Sequence, residues 1–186
     1  MNFLDELTAD QRDLIVSLPY RVGLYVSESD QTGGDESDAE EMEALESIIT
    51  AYAGEVFGSE TVQYVISETV KRKSEWNKWS ENLEAVQDDC NHAIDILSEH
   101  VDAKEVSSFK AHLVEIGENV ALAFREYSEK TPMLDKLKMY YYYYKNKSSA
   151  AKQKKQPKTW EQFLNISLDE RKALCDIAHA LGTSYV

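Results

Sequence analysis

The stretch DAKEVSSFKAHLVEIGENVALAFREY, residues 102–127, decides the fold class. Its apolar side chains fall at Val106, Phe109, Leu113, Ile116, Val120, Phe124 and Tyr127, in steps of three and four. A helix turns about once every 3.6 residues, so this spacing lays one apolar face along about six turns. Asp102 stands at the N-cap position with Glu105 three residues on, the reciprocating pattern that closes a helix start. Pro132 closes the run, because the residue before a proline avoids the helical region.

Working outward, the same start signal recurs at Thr8-x-x-Gln11, Ser37-x-x-Glu40 and Ser167-x-x-Glu170. A second apolar run, Val62, Ile66, Val70, Trp76, Trp79, Leu83, Val86, Cys90, Ile94 and Leu97, is either one long helix or two joined near Ser74–Ser80. Gly54 and Gly182 follow apolar stripes where a left-handed residue ends a helix. Pro19 lies inside an apolar run, so it kinks a helix or opens a second one. Turn-formers are scarce, at 7 Gly and 3 Pro in 186 residues, and no two-residue hairpin turn separates alternating strands. The expectation is one all-α domain of six to eight helices.

Charge is segregated along the chain. Lys plus Arg is 20 and Asp plus Glu is 34, a net charge of −14. Val22 to Val70 contains no Lys or Arg, whereas twelve acids lie from Glu28 to Glu68. Lys130 to Lys158 holds nine Lys and one acid, Asp135, together with five tyrosines from Tyr140 to Tyr144. Residues 131–158 therefore read as a Lys/Tyr-rich insertion. The segment can meet phosphate backbones, bases or lipids, or stay solvated and pair with the acidic body. The overall charge makes nucleic acid an unexpected partner. The N-terminus lacks the basic and apolar regions of a secretory signal, and no apolar run approaches the roughly 20 residues of a membrane span. Cys90 and Cys175 show no paired-motif spacing and read as buried, reduced thiols. A cytoplasmic protein is expected.

Two parts of the chain look alike. Val22-Gly-Leu-Tyr-Val-Ser-Glu28 can be laid on Val120-Ala-Leu-Ala-Phe-Arg-Glu126, an offset of 98. Glu40 to Leu45, with Ile48 and Ile49, can be laid on Asp169 to Leu174, with Ile177 and Ala178, an offset of 129. The difference, 129 − 98 = 31, is close to the length of the Lys/Tyr-rich insertion. The reading is a duplicated helix pair with a loop inserted in the second copy. Small residues at Gly23 and Ala121 would let another helix approach each copy closely.

The units VGLYVSESD…SDAEEMEALESIITAYAG and IGENVALAFREYSE…ISLDERKALCDIAHALG resemble the tellurite-resistance protein B (TerB-like) family. The resemblance covers roughly Asp10 to Lys130 and Ile166 to Gly182, and ISLDERKALCDIAHALG carries it best. It implies a non-catalytic, all-helical domain built on two pseudo-repeated helix pairs and associated with resistance to tellurite and other stresses. It also implies acidic residues that bind a divalent metal and partners among other stress-response proteins. The chain departs from the family pattern where the first acidic loop is stretched over Glu28–Ser37, without its Asp-Gly step. In the second copy the loop is replaced by the insertion.

The acidic segment offers the leading candidate site. Glu28, Asp30, Asp35, Glu36, Asp38, Glu40 and Glu41 supply carboxylates beside Gly33 and Gly34, and hard cations such as Ca2+ or Mg2+ take several oxygen ligands. Asp30 and Glu41 stand where the first and last ligands of a twelve-residue EF-hand loop would be, and Asp38 at the ninth. Thr32, Gly34 and Asp35 break the rest of that pattern. The plainer alternative is a solvated loop whose acids favour the next helix N-terminus. On the repeat alignment Glu28 pairs with Glu126 and Glu41 with Glu170, so four carboxylates would converge across a pseudo-dyad. A rival reading takes Asp89-x-x-His92 and Asp176-x-x-His179 as di-iron ligands of a helical bundle enzyme, although Asp is one methylene shorter than the usual Glu. His100 and His112 have no companion. A third reading is an interaction adaptor without ligand, and Ser184-Tyr185-Val186 resembles a short chain-end ligand. No nucleophile elbow, P-loop or zinc-protease pattern occurs, so no enzyme is expected.

Overall fold

Thr8 opens the first helix as its pattern predicts. Its hydroxyl accepts from the Gln11 N–H at 3.3 Å, while Gln11 Oε1 accepts from the Thr8 N–H at 3.0 Å. The computed structural model describes residues 2–29, 35–54, 58–123 and 166–185, with 35–41 and 123 described as backbone. These residues form α1 (Ala9–Ser27), α2 (Asp35–Gly54), α3 (Glu60–Lys71), the single turn α4 (Trp76–Trp79), α5 (Val86–His100), α6 (Ala103–Ala123) and α7 (Leu168–Ala180). Among the described residues there is no strand, and the fold is all-helical.

The centre is the pair α1 and α6, and each of α2, α3, α5 and α7 touches both. That position explains why α1 is buried on nearly every side from Ile15 to Leu24. On α6 the apolar stripe read from the sequence is the buried face, with Val106, Phe109, Leu113, Ile116 and Val120 all inside. Pro19 neither opens nor ends a helix, because α1 runs through it. An interior proline costs about 3 kcal/mol, and burial of α1 against six other helices outweighs it.

The run from Val62 to Leu97 is two helices, α3 and α5. Between them the chain makes 3-10 turns at Lys73–Glu75 and Ser80–Ala85 around α4, and Asn82 leaves helical geometry at φ −136°, ψ 64°. This link is a cover over α1. Trp76 stacks on Tyr20 with centroids 4.5 Å apart and donates through its indole N–H to Thr69 O at 3.0 Å. Arg72 lies over the Trp79 ring at 5.1 Å, while its guanidinium also binds Asp13 and Glu75.

Three local expectations are corrected. Helix α2 starts at Asp35, two residues before Ser37, so Ser37 is inside the helix and is not its N-cap position. Gly54 is the last residue of α2, and the one glycine with a left-handed backbone among the described residues is Gly182, at φ +64°. There the Gly182 N–H donates to His179 O and the Thr183 N–H to Ala178 O, the paired bonds that close a helix C-terminus. Cys90 is buried as expected, but Cys175 is exposed, and no disulfide joins them. The Lys/Tyr-rich insertion, residues 131–158, and Pro132 lie outside the described residues.

Candidate functional site

The acidic segment begins where α1 ends. Glu28 is the C-cap residue of α1, exposed, with its N–H on Leu24 O at 2.9 Å. Burial holds the Tyr20 phenol above its ordinary value, and the Glu28 charge adds to that shift. Helix α2 then places Asp35, Asp38 and Glu41 three residues apart in its first two turns, with Glu36 and Glu40 between them. Spacing of three keeps all three on one side of the helix. The EF-hand comparison fails structurally as well as in sequence, since residues 35–41 are helix where that motif needs loop. Asp30 and Glu126 lie outside the described residues.

Glu170 has a different role from the one the repeat assigns. It is 5% exposed and serves its own helix. Its Oε2 accepts from the Ser167 N–H at 2.9 Å, and Ser167 Oγ accepts from the Glu170 N–H at 3.1 Å. Its counterpart Glu41 stands six residues after the start of α2, past the third position that a capping box uses.

The packing of α1 on α6 gives the register of any repeat directly. A Cβ on Gly23 would strike Leu45 Cδ1 and come within 3.4 Å of Val120 Cγ2 and 3.6 Å of Ile116 Cγ2. A Cβ on Gly117 would come within 3.0 Å of Leu174 Cδ2, 3.1 Å of Val26 Cγ2 and 3.6 Å of Val22 Cγ1. The contacts are reciprocal. Leu45 and Leu174 differ by 174 − 45 = 129, as the sequence alignment has them. Gly23 and Gly117 differ by 117 − 23 = 94, one helical turn short of the aligned 98. In that register Glu28 stands opposite Leu122, and the small residue of α6 at the crossing is Gly117, although Ala121 is fully buried beside it.

The histidine pairs lie on α5 and α7, which touch each other. Asp89 is committed to Arg21, whose Nη1 donates to Asp89 Oδ2 at 2.6 Å, and His92 is exposed. His179 is exposed and Asp176 half-buried. His112 Nδ1 lies 2.7 Å from Ser108 O, and His100 Nδ1 is 3.9 Å from Glu6 Oε2. Among the described residues no three His, Cys, Asp or Glu side chains form a group able to hold a metal ion. The C-terminal Tyr185 is engaged at home, its hydroxyl 3.4 Å from Glu118 Oε1 and its pKa raised, by burial above all.

Sequence reasoning missed the polar groups that pin the helices together. Arg21 is 7% exposed and also donates through Nη2 to Asn82 O at 2.7 Å, fixing the link between α3 and α5. Beside it the Cys90 thiol is pushed up to about 12 by burial, which keeps it protonated and unreactive. Glu105, in the first turn of α6, accepts from Ser59 Oγ at 2.7 Å and from the Thr61 N–H at 2.8 Å, so it caps α3 from another helix. Around it lies a cleft of about 640 Å³ lined by Phe3, Glu6, Glu60, Tyr64, His100 and Asp102, among others. No helix among the described residues is long and apolar enough to cross a membrane. Comparison with protein-family models, with curated proteins and with solved structures returns no match.

Proposed function

We propose that this chain is a non-catalytic, TerB-like binding domain of a stress response that holds one divalent cation at the acidic junction between α1 and α2. The observation that carries the reading is the reciprocal packing of Gly23 and Gly117, each receiving the leucine of its partner helix, Leu45 or Leu174. That packing supports the two helix pairs which the resemblance implies. The donor set of the first pair fits a hard cation in kind: Glu28, Asp30, Asp35, Asp38 and Glu41 offer carboxylate oxygen and no nitrogen or sulfur. The second pair does not fit. Glu170 is consumed by its own capping box, and Leu122 stands opposite Glu28. Hence one ion per chain, not two.

Calorimetric titration of the full chain with Ca2+ and with Mg2+ tests this. The expected result is binding of one ion, with Ca2+ preferred, because its flexible coordination tolerates ligands on a helix and a connection. Asp30→Asn together with Glu41→Gln should abolish the heat. Glu170→Gln should lower the melting temperature and leave the heat intact. No binding at millimolar Ca2+ would overturn the cation site. Stoichiometric iron in protein purified without chelator would revive the bundle-enzyme alternative, which the engagement of Asp89 by Arg21 disfavours.

A further inference from the structure

We draw no further inference here: the strongest candidate, the cleft of about 640 Å³ between the N-terminal turn and the starts of α3 and α6, is an acidic cluster at two helix N-termini whose inner carboxylates, Asp102 and Glu105, already cap those helices, and nothing among the described residues points to a ligand in it.

Discussion

Glu105 shows how much a single side chain does when it serves a helix other than its own. Burial alone would raise its pKa, but the hydrogen bonds from Ser59 Oγ and the Thr61 N–H outweigh burial and hold it below the usual carboxylate value. A carboxylate with a lowered folded pKa stabilises the fold above its unfolded value, about 4.3, and that contribution fades as the pH falls through the folded value. Glu105→Gln should therefore cost about 1–2 kcal/mol near pH 7, and the gap to the native chain should narrow toward pH 3. Urea denaturation across pH measures both, and a gap that does not depend on pH would refute the assignment. Arg21 offers the converse case. Asp89→Ala leaves a buried guanidinium without its carboxylate and should cost about 3 kcal/mol. Arg21→Met removes the charge itself and fills the same space, so it should cost clearly less. Equal losses in the two variants would mean that Asp89 is not what balances Arg21.

At the scale of the element, the crossing of α1 and α6 sets the tolerances. Alanine is worth up to about 1 kcal/mol over glycine inside a helix, whereas overpacking a filled core costs about 1–3 kcal/mol. Gly23→Ala drives a methyl into Leu45, a fully buried side chain, and should be destabilising overall. Gly117→Ala meets its neighbours at 3.0 Å or more and should be near neutral. A double-mutant cycle with Leu45→Ala should show coupling to Gly23→Ala, and strictly additive melting data would contradict this contact. At the end of α7, Gly182→Ala should cost about 1–2 kcal/mol, because φ is +64° there.

The same elements show why the sequence was legible in some places and not in others. Thr8 and Ser167 were readable because a capping box is complete within four residues. Ser59 was not, because its carboxylate partner, Glu105, lies 46 residues away in the chain. The α1–α6 crossing falls at an offset of 94 where the sequence alignment has 98, and a shift of four residues leaves the apolar face of a helix almost unchanged. Only the contacts of Gly23 and Gly117 separate an offset of 94 from one of 98. Helix α2 starts two residues before the Ser37 start that the capping pattern suggests, since a run of acids suits a helix N-terminus as well as a loop.

The whole molecule carries a charge of −14, with no Lys or Arg from Val22 to Val70 and nine lysines from Lys130 to Lys158. Like charges at that density oppose the compact state, and both a bound cation and dissolved salt relieve the opposition. The two act differently. Screening by NaCl is unspecific: the melting temperature should rise smoothly as the Debye length shrinks from about 10 Å at 0.1 M toward 3 Å at 1 M. A bound ion stabilises by mass action instead, adding about 2.7 kcal/mol when its concentration is a hundred times the dissociation constant. Melting curves at constant ionic strength, with NaCl replaced stepwise by CaCl2, isolate the second effect. The expected curve rises with Ca2+ and then follows the logarithm of its concentration, and Asp30→Asn with Glu41→Gln flattens it while leaving the NaCl response in place. If Ca2+ does no more than NaCl at the same ionic strength, the acids before Val70 act only as a diffuse field. The natural neutraliser would then be the chain's own nine lysines from Lys130 to Lys158. Deleting residues 140–156 would in that case destabilise the protein at low salt, and about 0.5 M NaCl would restore it.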